Sequence, residues 1–130
     1  RNEQLFLIRP TTLPNILPNP KSIDGNPVEE VLPLVKVTGV NDWKPLVKEL
    51  ANYDQLVGLG EYIIAHFICD SEGRILDLWF TVKKSTNFRN TNFGLLYKKI
   101  NIKVKLNLES PNNMHKKLNY FSFSSICQID

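Results

Sequence analysis

The sequence has little of what catalytic and metal-binding sites are usually built from. Its 130 residues include two histidines, two cysteines and one methionine. Cys69 and Cys127 are far apart, and neither has a second Cys or His at ligand spacing, so no metal or cofactor is expected. There is no G-x-S-x-G and no H-E-x-x-H, and "GLGEY" at 58–62 lacks the strand-to-helix context of a phosphate loop. His66 sits among apolar residues, His115 falls in a turn-like stretch, and the carboxylates are scattered singly. A nucleophile, a base and an orienting group are not all present, so the chain is not expected to be an enzyme. Hydrophobic runs are short too. None reaches the roughly 18 residues a spanning helix needs, and no membrane is expected among the partners. No signal-peptide pattern opens the chain, and a start at Arg1 reads as a processed or trimmed chain.

The composition, 42% hydrophobic and 22% charged, suits one globular domain with a single core. The net charge is only +3, but residues 83–105 hold Lys83, Lys84, Arg89, Lys98, Lys99, Lys103 and Lys105 with no acid among them. Such a stretch is either a patch for nucleic acid or another acidic surface, or the solvated face of a sheet. With no nucleic-acid motif beside it, the solvated face is favoured.

Six of the eight prolines lie in "RPTTLPNILPNPKSIDGNPVEEVLP", 9–33. Proline removes a backbone donor and restricts the residue before it, so residues 1–33 read as an extended arm and 34–130 as the domain. Within the arm, "LFLI" at 5–8 is able to dock as an edge strand. "LVKVTGV" (34–40) is strand-like, and Pro45 in "NDWKPLVKEL" points to an edge or irregular strand. Leu56, Leu59, Tyr62, Ile63 and Phe67 follow i, i+3, i+4 offsets, which predicts a helix over 54–69 with Asp54 as its N-cap and "DSEG" (70–73) as its stop. Gly58 and Gly60 oppose it at about 1 kcal/mol each, but the length of the segment exceeds that of an ordinary strand.

The period then changes to two. "RILDLWFTVKK" puts Leu76, Leu78, Phe80 and Val82 on one face. "KINIKVKLNL" alternates Ile100, Ile102, Val104, Leu106 and Leu108 with Lys and Asn, as in a half-buried antiparallel strand. After a turn beginning at "SPNN" (110–113), "KLNYFSFSSIC" is a further strand with Phe121 and Phe123 on one face. The fold class is α+β, one long helix packed on an antiparallel sheet. The cysteines form one disulfide if the protein is secreted, or remain two small buried thiols.

Four segments in order, "WKPL" (43–46), "LGEYIIAHF" (59–67), "RILDLWFTVKK" (74–84) and "GLLYKKINIKV" (94–104), followed by "KLNYFSFSS" (117–125), resemble the plant cystatins and their monellin-like relatives. The resemblance covers about 43–127. It implies a cystatin-like fold, with residues 59–67 on the buried face of its helix, and a secreted or vacuolar plant protein. It also implies inhibition of papain-like cysteine proteases by a wedge of one glycine segment and two hairpin loops. Carried over, the wedge residues are Gly39 and the stretch Asn90, Thr91, Asn92, Phe93 and Gly94, of which only Gly94 matches the family's Gln-x-Val-x-Gly loop. That loop is lengthened by "STNFR" (85–89), and the family's tryptophan-bearing second loop has no counterpart. The expected function is therefore that of a divergent cystatin-fold protein whose inhibition is weak or lost. Its partner would be a papain-like protease or another protein. The alternative is a non-inhibitory binding protein that holds a protein or, less readily, a nucleic acid through 83–105. An open sheet edge would favour homo-oligomers. A small barrel of the OB type could contain these strands, but the long helix-bearing insertion between the first two weakens that reading. An RNase-like fold is disfavoured because no Glu/His/Arg catalytic set is apparent.

Overall fold

The computed structural model describes the backbone of residues 5–8 and residues 35–130. The proline-rich part of the arm, 9–34, lies outside the described residues. In chain order the elements are β1 (Leu5–Ile8), β2 (Lys36–Thr38), α1 (Lys44–Val47), α2 (Tyr53–Leu56), β3 (Glu61–Cys69), β4 (Ile75–Lys83), α3 (Phe93–Lys103), β5 (Asn107–Glu109) and β6 (Phe121–Ile129). Short 3₁₀ turns occupy Thr86–Phe88 and Pro111–Lys117. The main sheet runs β1-β4-β3-β6, antiparallel throughout, and β2 pairs with β5 as a separate ribbon. The α+β class is what the structure shows. "LFLI" is an edge strand, with Leu5 opposite Lys83 and Ile8 opposite Phe80.

The helix expected over 54–69 is a strand. Glu61, Ile63, Ala65, Phe67 and Cys69 are buried, and the residues between them are half-buried, an alternation of period two. The segment is rich in β-branched and aromatic side chains, which suit a pleated surface. Gly58 and Gly60 both have positive φ, so they form the turn that enters the strand and break any helix there. What helix there is stops at Leu56, with Asn52 in place of Asp54 at its N-cap position. "DSEG" is the turn of the β3–β4 hairpin. There Asp70 accepts bonds from the Glu72 and Arg74 backbone amides, both at 2.9 Å.

The second correction is the mirror of the first. Residues 93–103, which take in the front of the alternating stretch from Lys99, form the longest helix among the described residues. Asn92 caps it, its side-chain oxygen accepting from the Leu95 amide at 3.0 Å, a standard way of satisfying an orphan donor. Leu96 and Ile100, one turn apart, are the buried pair. A third correction is "WKPL", which is a helical turn and not a strand, with Pro45 near its N-terminus where a missing amide costs nothing. The strand reading of "RILDLWFTVKK" holds for Leu78, Phe80 and Val82, but the β3–β4 register shifts between Ile68 and Cys69, and Leu76 is left 43% exposed. One extra residue in a strand sends the side chain before it to the other face.

The core lies between the inner face of the main sheet and the helices. Trp43 is fully buried beside Phe80, and its Nε1 donates to Ser125 Oγ at 2.9 Å. Phe67, Phe121, Leu56, Leu96, Ile100 and Leu118 are among the other side chains buried in it. Cys69 and Cys127 lie inside the molecule as free thiols. Cys69 faces Phe121 and Cys127 faces Ile63, six residues further along the same strand pair, which is roughly 20 Å. No disulfide spans that distance. Burial pushes the Cys69 thiol up to about 12 and raises that of Cys127. Neither should react with a thiol reagent at neutral pH in the native protein, and both should titrate after denaturation without reductant. Fewer than two thiols under those conditions would overturn this arrangement.

Candidate functional site

The wedge residues inferred from sequence are not brought together. Gly39 follows β2 at φ +89, and a Cβ there would collide with the Lys105 carbonyl oxygen and sit 3.2 Å from its carbon. Glycine is required there by close backbone approach. Asn90–Gly94 lies at the other end of α3, whose 11 residues separate the two ends by about 16 Å. Nor is Asn90–Gly94 a hairpin tip. Thr91 Oγ1 accepts from Asn52 Nδ2 at 2.9 Å, Asn92 is the helix cap, and Gly94 lies within the helix. Phe93 is half-buried, with its ring 5.6 Å from Phe80 and 5.9 Å from Phe88. The one large apolar group of the stretch is thus engaged in the core.

The connection from β4 to α3 is held by a buried carboxylate that sequence reading passed over. Glu61 is 2% exposed; its Oε2 accepts from Ser85 Oγ at 2.9 Å and from Asn87 Nδ2 at 2.7 Å. Its Oε1 has no hydrogen-bond partner and faces the Lys83 ammonium at 3.8 Å. Lys83 itself donates to the Gly60 carbonyl at 3.1 Å. These contacts fix the loop that delivers the chain to Asn92, and with it the orientation of α3.

That orientation leaves two large apolar side chains of α3 in solvent. Ile102, read from sequence as pointing inward, is 75% exposed, and Leu95 is 42% exposed. At 3.6 residues per turn Ile102 falls within about 20° of Leu95, two turns on, so they form one ridge. Lys98 lies about 60° to one side of the ridge, and Lys99 and Lys103 about 40° and 80° to the other. Lys99 is tethered to Glu49 at 2.8 Å. The hydrogen bond from Lys99, then the charges of Lys99 and Lys103, hold the Glu49 carboxyl below its usual range. Lys98, Lys103 and Lys105 are exposed. The ridge is apolar, its flanks are cationic, and its opposite side is anchored in the core by Leu96 and Ile100.

The remaining features offer less chemistry. His66 lies on the outer sheet face, hydrogen-bonded to Ser124 and Thr81 at 3.0 and 2.7 Å and stacked on Trp79 with ring centres 5.2 Å apart. Burial lowers its pKa, which favours the neutral ring. His115, in the turn-like stretch after β5, is buried with Nδ1 bonded to Ser110 Oγ at 2.7 Å. A cleft of about 380 Å³ lies between the β3–β4 turn and the end of α3, lined by Glu72, Arg74, Asn101 and Lys105 among others. Among the described residues no group of three His, Cys, Asp or Glu is placed to hold a metal, and no helix is long and apolar enough to cross a membrane.

No family model matches the chain, and no characterised protein matches its sequence. Among solved structures it is similar to a DUF5043 family protein from Bacteroides uniformis ATCC 8492, with a TM-score of 0.43 and 15% identity. The likeness covers 58% of this chain, which spans 42% of that one.

Proposed function

We propose that this chain is a non-catalytic binding module that engages an acidic partner through the outer face of α3. The observation that carries the reading is Ile102, a large apolar side chain 75% exposed near the C-terminal end of a stretch with seven cations and no acid. An isolated exposed apolar residue is unremarkable; one aligned with a second and flanked by lysines is a binding ridge. Of these cations, Lys83 and Lys99 pair with Glu61 and Glu49, Lys103 is exposed with its charge also acting on Glu49, and Lys98 and Lys105 are exposed. Papain inhibition, implied by the plant-cystatin resemblance, would have to act through Asn90–Gly94, where Phe93 is already packed.

The test is retention of the full chain on an immobilised polyanion at low ionic strength, with release as rising salt screens the charges. Lys98→Glu with Lys103→Glu should abolish retention and shift the melting temperature by no more than about 2 °C, as surface changes do. A parallel titration should leave papain activity unchanged. No retention of the parent chain on any polyanion or anionic surface would end the proposal; nanomolar papain inhibition would replace it with the inhibitory reading.

A further inference from the structure

We infer that the acidic partner is the surface of an anionic lipid bilayer, on which α3 lies flat with Leu95 and Ile102 at the boundary between headgroups and acyl chains. The inference rests on the binding-module reading above and narrows it to one partner class.

The three classes of acidic partner ask different things of this ridge. A nucleic-acid backbone is met by cations and hydrogen-bond donors. Here the summit carries Leu95 and Ile102, which gain nothing from phosphate and would hold it away from the lysines on either flank. A protein partner would need a hydrophobic groove matched to the ridge, with an acidic rim on both sides. A bilayer requires no such matching. Apolar side chains enter the interface from a surface-parallel helix, while lysines on both flanks run their methylene stems along the apolar layer and keep their ammonium groups among the headgroups. Lys98 on one side and Lys103 on the other meet that description, and Lys105 adds a charge just beyond the helix. The helix cannot roll or insert more deeply, because Leu96 and Ile100 fix its inner face in the core. It lies on a membrane and does not cross one.

The strength expected is modest. Two aliphatic side chains bury less hydrocarbon than one myristoyl chain, which by itself gives only reversible attachment. The lysines are therefore needed, and binding should depend on lipid charge. The full chain should partition onto vesicles of phosphatidylcholine with about 30% phosphatidylserine and not onto phosphatidylcholine alone, and should be released by high salt. Lys98→Gln and Lys103→Gln should each weaken the partition about fivefold, the effect of one basic residue near such a surface. Ile102→Gln should weaken it tenfold or more, with melting unchanged because the side chain is already in water. An Ile102→Trp variant should show a blue-shifted emission on vesicles beyond that of the parent, and quenching by lipids brominated in the acyl chain.

The two readings fail differently. Retention on a polyanion without partition onto anionic vesicles, or partition that Ile102→Gln leaves intact, overturns the lipid inference and leaves the acidic-partner reading standing. Binding to neither overturns both.

Discussion

Ile63→Asp and Ala65→Asp should each unfold this protein, whereas Ile64→Asp between them should leave it folded. Ile63 and Ala65 are fully buried on the inner face of β3, opposite Val82 and Phe80 on one side and Cys127 and Ser125 on the other. A carboxylate at either point would be taken out of water with no cation opposite it. The cost is on the order of 5 kcal/mol, comparable with the whole stability of an ordinary domain, about 5–15 kcal/mol. Ile64 is on the half-buried outer face, where the same change meets solvent and costs about 1–2 kcal/mol in lost packing and strand preference. The triplet also discriminates between the two ways of reading "LGEYIIAHF". A helix would put residues 63 and 65 on opposite faces, so one of the two aspartates would be tolerated. Urea melts followed by circular dichroism decide it, and a cooperative Ala65→Asp transition close to that of the parent would refute the strand.

The ambiguity of that segment has a physical origin. Tyr62, Ile64 and Ile68 on the outer face are nearly as apolar as Ile63, Phe67 and Cys69 on the inner one. With both faces hydrophobic, the period cannot be read, and a helical set of offsets is found by chance. The legible signal was the pair of glycines, whose positive φ does end any helix before Glu61. β6 was legible because serine alternates with phenylalanine over its first four residues, Phe121 to Ser124. Residues 99–108 misled in the opposite sense. Ile100 and Ile102 alternate with lysine and asparagine, yet one points into the core and the other into solvent. The cue that would have found the helix is Asn92 as a cap followed by Phe93, Leu96 and Ile100 at helical spacing. The extra residue at the β4 bulge leaves no mark in composition. As for the site, the clustering of charge in 83–105 was visible, but which cations share a face depends on helix or strand. Ile102 changes from a core residue to the summit of the surface with that one assignment.

Gly73→Ala should lower the melting temperature by roughly 10 °C, about twice the effect of Gly58→Ala. Both glycines have nearly the same backbone, φ +83 and +80, in the left-handed region where an L side chain costs about 1–2 kcal/mol. They differ in what surrounds them. Nothing lies within 4 Å of a Cβ placed on Gly58. A Cβ on Gly73 would run into the Leu106 carbonyl oxygen and lie 2.9 Å from its carbon, and a backbone peptide cannot swing aside as a side-chain tip can. Leu106 is buried, and Val104 just before it is the C-cap of α3, so a displaced peptide there disturbs both the core and the seat of the helix. The collision should add about 1–3 kcal/mol to the conformational cost shared by both variants. Because the φ values match, the difference between the two melting temperatures isolates the close approach from the strain. Equal shifts would mean that the β3–β4 turn is not pressed against the 104–107 segment, and that the end of α3 is free to move relative to the sheet.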